Sequence, residues 1–146
     1  ISNIYMPKRQ ASSKTFEDVL DAISSKKMKV TTPKVGSIFY IGDAVCEVLS
    51  VESDASDTND SSIVIEMTFG DDKYLFTGDI TEAIESVVQW DDIDVLKVAH
   101  HGSSSSSSVK FLNQTKPEIS IISCVTHKLT NTLYHSISKS TRASNQ

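Results

Sequence analysis

The chain has 146 residues, of which 38% are hydrophobic, and it contains only 3 Pro and 5 Gly. This size and composition are typical of one globular domain and argue against a disordered or fibrous protein. No apolar run approaches the roughly 20 residues of a membrane-spanning helix, so we expect no membrane contact from this chain itself.

The net charge is −5, and residues 52 to 94 hold thirteen acidic residues against one basic residue, Lys73, which argues against a basic nucleic-acid groove. A phosphodiester substrate would therefore need metal ions to offset the charge repulsion.

The first fifty residues predict one helix and three short strands. Apolar residues with helical spacing follow the capping residues Ser13 and Thr15, namely Phe16, Val19, Leu20 and Ile23. Beyond this amphipathic helix, short apolar runs separated by Gly36 and Gly42 predict strands in MKVTTP, SIFYIGD and AVCEVLSV. The chain opens at Ile1 without a Met or a signal-peptide pattern, so we expect position 1 to be an internal boundary of a longer protein.

The rest of the chain predicts a hairpin and an alternation of helices and strands. After a polar loop, the hairpin comprises strands 63–69 and 73–77 around a Gly70-Asp71-Asp72 turn. A helix in ITEAIESVVQW, with Ile80, Ile84, Val87 and Val88 on one face, precedes a strand in DVLKVA, a short helix around VKFLNQ and a strand in PEISIISC. This alternation predicts an α/β fold over residues 1–125, followed by a polar, poorly ordered tail over residues 126–146. Cys46 and Cys124 are predicted to be buried thiols rather than disulfide partners or metal ligands.

Two predicted strands end in residues that commonly bind metals. YLFTGD ends in Asp79, and DVLKVA leads into His100 and His101. Binding sites in open α/β sheets gather at the carboxyl ends of strands, and imidazole is the usual nitrogen ligand for zinc or manganese. A competing interpretation is that Asp79 caps the next helix in a capping box with Glu82.

Six consecutive serines follow the two histidines, and they have two interpretations. Such a run is typical of low-complexity linkers. Here, however, core-forming segments flank it on both sides. We therefore predict an ordered loop whose last serines cap the helix that starts near Val109 and whose first serines offer hydroxyls toward His100.

The segments NDSSIVIEMTFGDDKYLFTGDI and DIDVLKVAHHGSSSSSSVKFLNQTKPEISIIS together resemble the metallo-β-lactamase superfamily. The similarity covers roughly residues 35 to 124 and is strongest to the ComEC-like branch found in bacterial DNA-uptake proteins. It implies an αββα sandwich with a metal centre, often two zinc ions, with manganese as an alternative. It also implies hydrolysis of a phosphodiester, with DNA as one candidate substrate, by a metal-activated water. A bacterial protein is implied, with the compartment left open between cytoplasmic and extracytoplasmic.

The resemblance assigns roles to individual residues. It implies that Asp79 bridges the metals and that His100 binds one of them. It implies that His101 and Ser103 face the substrate.

Three weaker assignments complete the predicted site. Asn59 and Asp60 match a polar pair beside the site in this branch, and we expect Asn59 to act in catalysis and Asp60 to join the metal ligands. His135 lies in LYHS, which lacks the Gly and Pro of the branch's YGHP-like turn, and it is the last candidate metal ligand. His127 has no counterpart in the family, and we expect it to be an exposed loop residue.

The chain departs from the family in one respect that affects function. The superfamily's first metal motif, HxHxDH, is absent, since the four histidines are His100, His101, His127 and His135. We therefore expect this chain to be the C-terminal half of the sandwich, inactive alone, and to pair with the N-terminal half or with another copy of itself through its exposed apolar sheet face. Two alternatives remain open: a degenerate module that binds partners without catalysis, and a lactonase- or thioesterase-type hydrolase.

Overall fold

A computed structural model describes residues 3–9 and 11–124 of the chain. The elements follow in the order β1 (Ile4–Tyr5), α1 (Lys14–Ser25), β2 (Val30–Thr31), β3 (Ile38–Ile41), β4 (Ala44–Ser50), β5 (Val64–Phe69), β6 (Asp72–Phe76), α2 (Glu82–Glu85), β7 (Val95–Lys97), α3 (Val109–Thr115) and β8 (Ile119–Ile121). The mixed α/β class expected from the sequence is confirmed. The predicted tail, 126–146, lies outside the described residues, as do His127 and His135.

The N-terminal elements form a small unit. Strands β1 and β2 pair in parallel, with Ile4 opposite Val30, and α1 connects them. The predicted helix is confirmed, and its N-cap is Ser13, whose hydroxyl accepts the Phe16 N–H at 3.2 Å. Strand β1 was not predicted, because two residues are too few for a periodic pattern.

Strands β3 to β8 form one six-stranded sheet in sequence order. The first four make an antiparallel meander, and β7 and β8 then run parallel to β6. The predicted hairpin is confirmed, although Phe69 pairs with Asp72, so its turn contains only Gly70 and Asp71. Gly70 has a φ of 63°, which suits the first position of a two-residue hairpin turn.

The hydrophobic core lies between one face of this sheet and the two later helices. The sheet contributes Val64, Leu75 and Leu96, each 0% exposed, because alternate residues of paired strands point to the same side. The helices and loops contribute a second set of buried residues, which is Ile80, Ile84, Trp90, Ile93, Val98, Ala99, Phe111 and Leu112. Burying a large apolar side chain stabilises a fold by about 1.5–3 kcal/mol, so this layer holds α2 and α3 on the sheet.

The opposite face of the sheet is largely apolar, with Lys97 between Phe76 and Ile121, and much of it is accessible. The strand register puts Cys46 in one row with Ile119, and Val48 in one row with Phe76 and Ile121. Cys46 and Val48 are each 1% exposed, whereas Phe76, Ile119 and Ile121 are 41%, 57% and 54% exposed. We call the part of this face formed by β6 to β8 the open sheet face.

One predicted element differs from the structure. Helix α2 ends at Glu85, whereas the sequence pattern extended it through Val87 and Val88. Val87 is 77% exposed, so the prediction that it faces the core was wrong. The chain turns away after α2 because the Trp90 indole N–H donates to the Glu85 carbonyl at 2.8 Å, which brings the ring back under the helix.

Cys46 is buried in β4, as predicted. Cys124 is only half-buried just after β8, so the prediction that it is buried was wrong; both are free thiols. Burial raises the pKa of the Cys46 thiol. In the two described ranges, no helix is long and apolar enough to cross a membrane.

Candidate metal centre

The candidate site lies where β6 and β7 end. These strands are parallel neighbours, with Leu75 opposite Leu96, so their carboxyl ends meet at one edge of the sheet. Their pairing continues beyond the strands, because the Thr77 hydroxyl donates to the Lys97 carbonyl at 2.8 Å and the His100 N–H donates to the Gly78 carbonyl at 3.1 Å. Asp79 and the two histidines are therefore held side by side, as the sequence pattern indicates.

The two histidines form a tight turn with unusual backbone angles. His100 has φ 48° and ψ 42°, His101 has φ 54° and ψ 26°, and Gly102 has a φ of 80°. The left-handed conformation costs a residue other than glycine roughly 1–2 kcal/mol. Backbone strain of this kind persists where the surrounding structure enforces it, and it clusters at functional sites.

His101 is the histidine that faces Asp79. Its Nε2 lies 3.8 Å from Asp79 Oδ2, and its Nδ1 lies 2.7 Å from the Ser123 carbonyl oxygen. A carbonyl oxygen can only accept a hydrogen bond, so Nδ1 must carry the proton. In the neutral ring, Nε2 then presents a lone pair toward a carboxylate oxygen. Two acceptors face each other at this point, and a cation between them would satisfy both.

His100 has a different environment. Its Nδ1 lies 3.4 Å from the Ser105 hydroxyl, and among the described residues only His101 has a ring nitrogen within 4 Å of a carboxylate oxygen. The metal role that the sequence assigns to His100 stays a prediction. The geometry favours His101 as the partner of Asp79.

Asp79 is positioned by the loop that precedes β5. Its backbone N–H donates to the Ser62 hydroxyl at 3.0 Å. Gly78 makes this approach possible, because a Cβ at that position would lie 2.6 Å from Ser62 Cβ. The alternative that Asp79 caps α2 is wrong, since the N-cap is Thr81, whose hydroxyl accepts the Ala83 N–H at 3.3 Å.

Asp60 and Asn59 lie in a 3-10 turn, Asn59–Ser61, in that same loop. Asp60 is 6% exposed, and both of its oxygens accept hydrogen bonds from Thr81, from the N–H at 2.7 Å and from the hydroxyl at 3.1 Å. These partners favour a structural role for Asp60, and its predicted metal role stays a prediction. Asn59 is half-buried, and its N–H donates to Asp57 Oδ1 at 2.8 Å. Its predicted catalytic role likewise stays a prediction.

The serine run is an ordered loop that leads into α3, as predicted, and not a linker. Ser108 is the N-cap of α3, and its hydroxyl accepts the Phe111 N–H at 3.3 Å. At the other end, the Ser103 and Ser105 hydroxyls lie 3.0 Å apart, and Ser105 reaches His100. We call residues 103–108 the serine loop.

Sequence reasoning missed Glu85. This residue is 2% exposed, and its carboxylate accepts the N–H groups of Ser107 and Ser108. The only signal in the sequence is its place next to Ile84 in a short helix, and helical periodicity assigned that position to the solvent side.

The site contributes two facing ligand-type side chains. Within the described ranges, no group of three or more His, Cys, Asp or Glu residues could hold a metal ion. A catalytic zinc takes three protein ligands plus water, so Asp79 and His101 together supply part of such a set.

Comparisons with known proteins identify the family of the chain. The metallo-beta-lactamase superfamily model matches residues 49–127, which is more than half of the chain. ComE operon protein 3 of Bacillus subtilis (strain 168) is 34% identical over 128 residues, which cover 84% of this chain and 16% of that protein. Recombination protein 2 of Haemophilus influenzae is 40% identical over 67 residues, which cover 44% of this chain and 8% of that protein. The matched part of this chain thus spans only 16% of the length of the first relative and 8% of the length of the second. With these relatives and this match, the chain belongs to the metallo-beta-lactamase superfamily, in its ComEC-like branch.

Proposed function

We propose that this chain supplies part of a divalent-metal site in a hydrolase that cleaves phosphodiester bonds, and that Asp79 and His101 hold one of the metals. The observation that carries the proposal is the approach of His101 Nε2 to Asp79 Oδ2, at 3.8 Å. A metal ion between these two atoms would be held by both; without one, they form an ion pair only when His101 carries a second proton.

The donor set fits zinc. Zinc–nitrogen and zinc–oxygen distances are about 2.0–2.2 Å, so two ligands of one tetrahedral ion lie about 3.4 Å apart. His101 Nε2 and Asp79 Oδ2 lie 3.8 Å apart, so a small side-chain movement would let both bind one ion. The Ser123 carbonyl on His101 Nδ1 is the kind of partner that fixes the tautomer and orientation of a metal-binding histidine. Manganese accepts the same carboxylate and imidazole donors. When bound, such a metal lowers the pKa of water to about 7 and polarises a phosphoryl oxygen.

The chain's own residues would orient these parts and admit the substrate. The side chains of His101 and Asp79 are 55% and 37% exposed, so a substrate could reach them from solvent. The Ser103 hydroxyl, at the start of the serine loop, is a candidate donor to a substrate oxygen. A net charge of −5 repels an anionic substrate unless bound metals neutralise it. Cleavage of a phosphodiester by this chain would therefore require metal binding. The name of one relative, Recombination protein 2, supports a nucleic-acid substrate.

The remaining ligands would come from a partner segment with the HxHxDH motif, in the same protein, or from a second copy of this chain. We propose that the partner covers the open sheet face. Phe76, Ile119 and Ile121 are large, apolar and at least 41% exposed there. Covering them removes apolar surface from water at roughly 25 cal/mol per Å².

Zinc titration of the purified chain tests the metal pair. We expect weak binding, abolished by Asp79→Asn and by His101→Ala. The matched control is His100→Ala, which removes the same side chain one residue away and should leave zinc affinity within about threefold. Loss of binding in His100→Ala, with retention in His101→Ala, would overturn the assignment.

A substrate panel with the full-length gene product tests the reaction. We expect zinc- or manganese-dependent turnover of bis-(p-nitrophenyl) phosphate that Asp79→Asn abolishes. Turnover of lactones or thioesters alone would contradict the phosphodiester assignment. A protein that binds no metal and turns over none of these would be the non-catalytic module.

A further inference from the structure

Buried Glu85 is joined to the candidate site through the serine loop. Its two carboxylate oxygens accept the backbone N–H groups of Ser107 and Ser108, the latter at 2.9 Å. No lysine, arginine or histidine of the described residues lies within 4 Å of this carboxylate, so the backbone N–H groups are its main stabilising partners. A polar group buried in this manner is costly unless its hydrogen bonds are kept.

Further contacts tie the same loop to the start of α2. The Ser106 hydroxyl, 6% exposed, donates to the Ile80 carbonyl at 2.7 Å. The Glu82 N–H donates to the Ser105 carbonyl at 2.9 Å. The loop therefore has little freedom relative to the helix that follows Asp79, although its six residues are all serine.

The loop's other end contacts the histidine turn. The Ser105 hydroxyl lies 3.0 Å from the Ser103 hydroxyl and 3.4 Å from His100 Nδ1. The Ser103 N–H donates to the His100 carbonyl at 2.9 Å. The orientation of the His100 ring thus depends on where the loop holds Ser105.

We infer that Glu85 is a positioning residue of the candidate site: it fixes the serine loop so that Ser105 orients the His100 ring and Ser103 lies beside the histidine turn. The inference rests on the proposed function for its consequence in catalysis, but the positioning itself is measurable without metal or substrate. Glutamate suits this task because both oxygens accept, whereas glutamine would direct an NH₂ group at a backbone N–H.

The experiment is an NMR measurement of the ring nitrogen shifts of His100 at fixed pH in the metal-free chain, together with amide exchange at Ser107 and Ser108. We expect Glu85→Gln to change the His100 ring ¹⁵N shifts and to accelerate exchange at both serines at least tenfold. The matched control is Thr115→Val, which removes a buried hydrogen bond within α3, from the Thr115 hydroxyl to the Phe111 carbonyl at 3.0 Å, without touching the loop. We expect this control to lower stability and leave the His100 shifts unchanged.

A second variant keeps the inference testable if Glu85→Gln fails to fold. Ser105→Ala changes an exposed residue and should alter the His100 shifts in the same direction. The inference is overturned if Ser105→Ala leaves the His100 ring shifts unchanged, or if a folded Glu85→Gln variant affects them no more than Thr115→Val does. In the full-length gene product, Glu85→Gln should reduce kcat 10- to 100-fold by displacing the Ser103 hydroxyl, and it should leave zinc affinity within about threefold, as expected for His100→Ala. Shifted His100 signals without any hydrolysis in the parent would instead refute the proposed function and leave the positioning role intact.

Discussion

Gly78 offers the sharpest test of how the candidate site is built. It precedes Asp79, has a φ of 58°, and lies against Ser62, whose hydroxyl holds the Asp79 N–H. In Gly78→Ala, the new Cβ would lie 2.6 Å from Ser62 Cβ and 2.8 Å from Ser62 Oγ. Ser62 Cβ is attached directly to the backbone, so a rotation of the side chain cannot relieve the contact, and the loop must move.

The expected cost has two parts. A left-handed backbone angle costs an alanine about 1–2 kcal/mol relative to glycine. Forcing an extra methyl group into a packed site costs about 1–3 kcal/mol. Together they lower the free energy of unfolding by about 2–5 kcal/mol.

Gly70→Ala is the matched control for this substitution. Gly70 has a φ of 63° and nothing within 4 Å of the position of a Cβ, so it carries the backbone cost without the clash. Urea unfolding, followed by the fluorescence of the single tryptophan, Trp90, measures both variants. We expect Gly78→Ala to cost about 1–3 kcal/mol more than Gly70→Ala, the overpacking share of the total.

Ser62→Gly completes a double-mutant cycle, because it removes both atoms that the new methyl group would meet. In the double variant the two costs should fall short of additivity by about 1–3 kcal/mol. The reasoning is refuted if Gly78→Ala destabilises no more than Gly70→Ala, or if the two substitutions are additive. In either case the loop around Ser62 would not pack against the end of β6 as described.

Three further predictions concern other parts of the molecule. Asp60→Ala should lower the free energy of unfolding by about 1–2 kcal/mol, because the Thr81 N–H loses its acceptor. Zinc affinity should change little. A loss of zinc affinity at unchanged stability would instead identify Asp60 as a metal ligand. Iodoacetamide at pH 8 should alkylate Cys124 in the native chain and Cys46 only in denaturant. Burial shields the Cys46 thiol and raises its pKa. Equal labelling of both cysteines in the native chain would contradict the packing of β4. The isolated chain should associate through the open sheet face, and Ile119→Lys should weaken that association. A light-scattering mass of one 16.0 kDa chain for the unmodified protein would exclude self-association through that face.

Much of the fold follows from local sequence patterns. The helix after Ser13, the hairpin around Gly70 and the ordered serine loop are set by spacing, turn residues and caps that lie within a few positions of one another. The length of α2 did not follow in this way, because the bond from Trp90 back to Glu85 depends on how the loop after the helix packs on the core. The burial of Glu85 did not follow from local patterns either, because its hydrogen-bond partners lie 22 and 23 residues further along the chain.

The candidate site divides in the same manner. The sequence by itself determined that a carboxylate and two imidazoles follow two apolar strands, and the parallel pairing of β6 and β7 brings them to one edge. Only the tertiary structure decided which histidine meets Asp79. Adjacent residues have the same local pattern, so the choice between them depends on tertiary contacts. It is made by a left-handed turn and by the carbonyl of Ser123, which lies just after β8, 22 residues further along the chain. Ring orientation depends on such long-range contacts, and no local period in the sequence encodes them.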